Sequence, residues 1–351
     1  MGLDSAADEP AELSSGGRGA VPDWWIYRGV GRVLTAEERD SRWPKPPSWR
    51  RFTGGPDLPV PEFDAVEAQR RLGHHMFNSL DYGVLEKINS AILLARPLVV
   101  VGKPGVGKSS LAYSIARELG LGRVLRWGIT SRSTVKSGHY EYDAIGRVHA
   151  MSLKEKNNDD IGNFVQLGPL GTALLPHRLP RVLLIDEMDK SDVHLVNDLL
   201  GSLEEGEFRI PELERFHEPV VVVRTADPGA RAPITGGRVV CHAFPLIIIT
   251  SNGDQDFPPA FLRRCLYVEL PEPGVEQLAD MVAAHFPDEA EELAAGLAGQ
   301  FDAVRAEHGG HLAVDLLLNA VHVIRAQTPS GLDRNQAEAM VRAIVNRLSP
   351  E

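Results

Sequence analysis

The chain has 351 residues, 43% of them hydrophobic and 24% charged, with a formal net charge of −11; that is room for two compact domains with looser ends. No run of about 18 apolar residues argues for a membrane-spanning helix, and residues 1–22 lack the basic-then-apolar layout of a secretory signal. The acidic balance argues against sequence-independent nucleic-acid binding, which needs a concentrated Lys/Arg surface. The only two cysteines, Cys241 and Cys265, make no disulfide framework. Both sit in strand-like surroundings, as buried small side chains in a reducing cytosol would, so a cytoplasmic location is expected.

Residues 1–22 are rich in Ala, Gly, Ser, Asp and Glu, with little to bury, and disorder is expected there. Residues 23–61 carry Trp24-Trp25-Ile26-Tyr27-Arg28-Gly29 and Trp43-Pro44-Lys45-Pro46-Pro47-Ser48-Trp49-Arg50. Tryptophans among prolines without periodicity suggest an extended arm, packed on the main domain or docked on a partner. From 62 to 95 the pattern turns helical, with Val84, Leu85, Ile88, Ile92 and Leu93 at three- and four-residue spacing.

Strands and helices then alternate. Apolar runs at 97–101, 124–129, 182–185, 246–250 and 266–270 read as strands; 108–119 and 191–205 read as helices. Near-continuous apolar strands interleaved with helices predict an α/β core, a parallel five-stranded sheet with helices on both faces. That core spans 62–270. After Pro271-Glu272-Pro273 the pattern is purely helical, which predicts a small all-α lid over 271–351. There is no internal repeat.

Gly102-Lys103-Pro104-Gly105-Val106-Gly107-Lys108-Ser109 fits the phosphate-loop pattern G-x-x-x-x-G-K-[ST], between an apolar strand and a helix. Its glycines let backbone N–H groups curl around phosphates, helped by the positive end of the following helix. Gly102, Pro104, Gly105, Val106, Gly107, Lys108, Ser109 and Ser110 are the candidate ATP-binding residues. Lys108 would reach the β- and γ-phosphates, and Ser109 would ligate Mg²⁺. The strand 182–185 ends in Asp186-Glu187. Asp186 would hold the Mg²⁺ shell and Glu187 would polarise the attacking water. The same pair could also be an ordinary strand-to-helix turn, with Asp189 and Ser191 as caps. The strand 246–250 ends in Ser251-Asn252, where an amide could orient that water or simply make a turn. Arg263-Arg264, near the end of a short helix, could be surface charge or trans-acting fingers for a neighbour's site.

These four motifs come in the order and spacing of AAA+ ATPases, which the chain resembles from about Glu62 onward. Pro259-Ala260-Phe261-Leu262-Arg263-Arg264 and the long segment between the second and third strands are most similar to the MoxR branch. The resemblance implies a 5-1-4-3-2 sheet with a helical lid, usually in hexameric rings. It makes Lys108 and Ser109 Walker A, Asp186 and Glu187 Walker B, Asn252 sensor 1, and Arg264, with Arg263 beside it, the arginine finger. Residues 161–170 resemble the loop inserted into helix 2, facing the pore or the partner. A hairpin of 220–225 and 236–243 around Asp227-Pro228-Gly229 takes the place of the pre-sensor-1 hairpin.

One departure stands out. Where MoxR proteins carry a sensor 2 arginine, this chain has His308-Gly309-Gly310-His311-Leu312-Ala313-Val314-Asp315. His311 stands in weakly, or sensor 2 is absent and hydrolysis is slow or otherwise controlled. His308 with His311, and His74-His75, lack the companions a zinc site needs, and residues 154–160 read as a solvated loop. The family implies a ring-forming chaperone or remodeller of a partner protein. A partner with a von Willebrand A domain fits it, and the Trp/Pro arm is also similar to ATPases of bacterial conflict systems. The rival is a slow nucleotide-dependent switch whose output is partner binding; a nucleic-acid motor fits the acidic charge poorly.

Overall fold

A computed structural model describes residues 21–55, 57–73, 80–152, 160–286, 291–307, 314–327 and 339–344. The readings of residues 1–20, the His74-His75 pair, most of the 154–160 loop, and His308 and His311 fall outside them.

In chain order, α1 (Ala36–Arg42), α2 (Ala65–Leu72) and α3 (Tyr82–Leu94) precede β1 (Leu98–Val101), α4 (Lys108–Glu118) and β2 (Leu125–Gly128). The segment between the second and third core strands builds α5 (Val135–His139), β3 (Tyr140–Tyr142), α6 (Ala144–Ser152), β4 (Val165–Leu167) and α7 (Pro169–Ala173). Then come β5 (Val182–Asp186), α8 (Val193–Glu205), β6 (Glu207–Arg209), α9 (Pro211–Glu214), β7 (Val220–Arg224), β8 (Arg231–Thr235) and β9 (Arg238–Val240). The last elements are β10 (Leu246–Ser251), α10 (Pro259–Leu262), β11 (Leu266–Glu269), α11 (Val275–His285), α12 (Glu291–Glu307) and α13 (Asp315–Gln327).

The five long apolar runs form one parallel sheet in the order β11-β1-β10-β5-β2. Counted among themselves these strands run 5-1-4-3-2, as the resemblance implies. Both faces are buried because side chains alternate. Val99, Leu183, Ile185, Ile247 and Ile249 enter a core with α7 and α8, and Leu98, Val100, Val182, Leu184 and Ile248 enter a core with α3 and α4. The helices α11 to α13 and residues 339–344 share a third apolar cluster around Val282, Leu297, Phe301 and Val321. Among the described residues no helix is long and apolar enough to cross a membrane. Cys241 and Cys265 are free and buried, and burial pushes both thiols up to about 12.

Three expectations change. The arm is not wholly extended: α1 lies inside it, closed at its start by a reciprocal Thr35–Glu38 capping box. Seven residues are too few for periodicity to announce a helix. Nor is 161–170 a loop, since β4 pairs with β3 and β7 and Ile161, Val165, Leu167 and Leu170 are buried. The hairpin partner of β7 is β8 at 231–235, not 236–243. Gly236 and Gly237, with φ of 57° and 65°, form the next tight turn, which sends β9 back antiparallel along β8 toward β6. The result is a second sheet, β3-β4-β7-β8-β9-β6.

The arm packs on the main body. Trp25, Ile26 and Tyr27 are buried. Asn89 Oδ1 accepts the N–H groups of Ile26 and Tyr27 at 2.9 and 3.0 Å. The Glu118 carboxylate at the end of α4 accepts those of Arg28, Gly29 and Gly31. Buried backbone donors are thus satisfied by two side chains of the core.

The second sheet is tied to the first by Arg181, just before β5 and 1% exposed, whose fork meets both oxygens of Asp227 in the β7–β8 turn at 2.7 and 2.8 Å. Removing one partner of such a pair strands a buried charge. Asp227→Ala is therefore expected to destabilise the fold by about 3 kcal/mol, read as a lower urea midpoint with the slope unchanged; no shift would mean that Arg181 finds other acceptors.

Candidate functional site

The loop from Gly102 to Gly107 leaves β1 and enters α4 directly. Gly105 and Gly107 take φ of 83° and 90°, a region that L side chains rarely adopt. A Cβ on Gly102 would come within 2.9 Å of the Leu270 carbonyl, whereas one on Gly107 would meet nothing. The loop is thus pressed against Leu270, just after β11, on one side and open on the other. Lys103, Pro104 and Gly105 are exposed at its crest, and Lys108 is buried beneath it.

Lys108 Nζ donates to the carbonyls of Gly102 and Lys103 at 2.7 and 2.8 Å and to Asn252 Oδ1 at 2.8 Å. Burial pulls its pKa below the ordinary lysine value; the carboxylates of Asp189, Asp186, Glu187 and Asp254 offset this only in part. Ser109 Oγ donates to Asp186 Oδ1 at 2.7 Å, and Thr250 Oγ1 donates to the same oxygen at 2.8 Å. Thr250 also accepts the Glu187 N–H at 2.9 Å. Burial opposes ionisation of Asp186, but the hydrogen bonds from Ser109, Arg126 and Thr250 outweigh it and hold the carboxyl below its usual range. Ser110 Oγ donates to the Arg71 carbonyl.

Glu187 takes the left-handed conformation, φ 61°. Strain of this kind in a non-glycine residue is about 1–2 kcal/mol and gathers at functional sites. Its carboxylate is held by Lys190 at 2.7 Å, both side chains about half exposed.

Loop, acidic strand end and amide, up to 144 residues apart in the chain, meet at the carboxyl ends of β1, β5 and β10. The arginine pair does not join them. Arg264 pairs with Glu204 on α8 and with the Ala260 carbonyl, and Arg263 is exposed, its carbonyl 3.4 Å from Arg96 Nη1. An open cleft of about 740 Å³ beside Val106 and Gly107 is walled by Tyr27 of the arm, Leu72, Leu111 and, from α11, Met281. An apolar cleft next to a phosphate loop has the shape and chemistry to take a nucleotide base.

Three contacts escape a reading of the motifs. Arg126 on β2 binds Asp186 Oδ2 through Nε and Nη2, at 3.0 and 2.8 Å. Asp189 is no cap: its Oδ2 accepts the Asn252 N–H at 2.9 Å, fixing the strand end that carries Asn252, and the N-cap of α8 is Asp192. Tyr27 reaches the cleft from a segment far upstream. The alternation along β2, with Leu125 and Trp127 buried and Arg126 exposed, was the one linear hint of the first.

The residues fit a magnesium nucleotide. Ser109 and Asp186 offer the hard oxygen donors that Mg²⁺ favours, the glycine curve presents N–H groups, and Lys108 supplies a cation. A strand, a glycine loop and a helix beside an acidic strand end define a P-loop nucleotide-binding fold. Residues 98–270 match the family model described as ATPase family associated with various cellular activities (AAA). A search of curated proteins finds no significant match. Among solved structures, the chain is similar to PCH-2 of C. elegans at 14% identity, covering 82% of this chain and 74% of that one, TM-score 0.43. It is also similar to a mutant of Thermotoga maritima RuvB at 15% identity, covering 74% and 67%, TM-score 0.41. A third similarity is to the T. maritima RuvB Holliday junction branch migration motor, at 15% identity, 82% and 70%, TM-score 0.39.

Proposed function

We propose that this chain binds ATP with Mg²⁺ at 102–110 and hydrolyses it, as a ring-forming, MoxR-like remodeller of a partner protein. The observation that carries the reading is the meeting of Lys108, Ser109, Asp186, Glu187 and Asn252 at one end of the sheet. In it, Lys108 exchanges its loop carbonyls for the β- and γ-phosphates. Ser109 and Asp186 hold the metal, which when bound neutralises phosphate charge. Glu187 takes the proton of the attacking water, and Asn252, fixed by Asp189, orients that water.

Of the two arginines, Arg264 is committed to Glu204 within its own chain. The motif resemblance favours Arg264, with Arg263 beside it; because Arg263 is exposed, we assign the finger role to it first. A hexamer and a von Willebrand A-domain or conflict-system partner rest on the motif resemblance alone. A slow switch is favoured by one observation, the Lys190–Glu187 pair, which keeps the water-activating carboxylate engaged.

Lys108→Ala is the direct experiment. Loss of a charge-assisted phosphate contact is about 1.5–3 kcal/mol, so fluorescent ATP-analogue affinity should fall roughly ten- to a hundredfold. Equal affinity would remove the site from 102–110.

A further inference from the structure

We infer that Arg126 is a counter-ion of Asp186 that a hydrated divalent cation displaces, so that Arg126 pairing and Mg²⁺ binding compete. The inference rests on the nucleotide reading above. It follows from an account of the lone pairs on Asp186. An ionised carboxylate has about four acceptor positions. Oδ1 takes Ser109 and Thr250, and Oδ2 takes both Nε and Nη2 of Arg126. The carboxylate is saturated.

A metal held beside Ser109 needs acceptor positions on Asp186, for the metal itself or for its waters. One of the present donors must leave. Thr250 is 1% exposed and is tied to the Glu187 N–H, so it cannot. Ser109 is itself a ligand. Arg126 alone has both a reason and a route to go. It is a cation beside an arriving cation, and its side chain is 46% exposed on an edge strand. It also lines an open cleft of about 680 Å³, on the α4 side, whose walls include Asp64 and Glu67. That cleft gives the released guanidinium space, and beside it stand the carboxylates of Asp64 and Glu67, held by Arg123 and by Arg70 and Arg71. The arrangement keeps a buried carboxylate neutralised, where an unpaired one would be destabilising.

The test is the Mg²⁺ dependence of fluorescent ATP-analogue binding to the full-length chain, for wild type, Arg126→Gln, Arg126→Lys and Lys108→Ala. If Arg126 competes with the metal, the half-saturating Mg²⁺ for Arg126→Gln falls roughly two- to fivefold, the range for losing a partly exposed charge pair. Arg126→Lys, which keeps the charge but loses the fork, falls between the two. Affinity measured in EDTA should match wild type, which also shows that the variant folds. An unchanged or higher Mg²⁺ requirement overturns the inference. So does weaker binding in EDTA, because Arg126 would then be a phosphate ligand. If wild type binds no better than Lys108→Ala, the nucleotide reading fails and takes this inference with it.

Discussion

Glu187→Gln should lower ATP turnover per subunit by about 10³-fold while leaving ATP affinity within about a factor of three, since a positioned base supplies roughly 10²–10⁴. The amide keeps the shape and can still accept one hydrogen bond, but it cannot take a proton. The backbone reinforces the argument. Glu187 sits at φ 61°, its N–H fixed by Thr250, whose hydroxyl also holds Asp186. One threonine thus sets the relative placement of both carboxylates. Steady-state hydrolysis and equilibrium binding, measured together, separate the outcomes. Equal losses of affinity and turnover would mean that Glu187 is structural. Full activity would hand the base to another group.

Arg263→Ala should lower turnover at least about 10²-fold, with the nucleotide affinity of isolated subunits unchanged, because a trans-acting arginine is worth roughly 10³–10⁵. Arg264→Ala should cost less turnover and more stability. Its guanidinium bridges Glu204 on α8 and the Ala260 carbonyl of α10, and so staples the two helices. If Arg264→Ala is the dead variant and Arg263→Ala is active, Arg264 must leave Glu204 during the cycle. Its pairing would then be a resting state.

The core was legible because its signals are contiguous. The loop 102–109 and the five apolar runs each lie in one stretch of sequence, and buried parallel strands need no alternation to declare themselves. The second sheet was not. Its strands β3, β4, β6 and β9 are three residues each, shorter than a period-two pattern needs. The hairpin's far arm was misplaced because two candidate turns, Asp227-Pro228-Gly229 and Gly236-Gly237, lie within ten residues, and only pairing decides which strand each one closes. Within the site, the residues of the motifs converge, but their partners come from elsewhere in the chain. Arg126 lies sixty residues before Asp186, and Asp189 acts through a backbone N–H rather than as a cap. The alternation of β2 hints only that Arg126 faces outward, and the Asp189 contact leaves no linear trace.

Shared sites are the core of the proposal, and subunit mixing tests them most directly. Glu187→Gln and Arg263→Ala would each be assayed alone and then together at equal amounts. If one subunit supplies the carboxylates and its neighbour the arginine, each variant alone is inactive. The mixture then recovers activity, because some interfaces pair an intact Glu187 with an intact Arg263. A mixture no more active than the sum of its parts would contradict a site built between two copies of this chain.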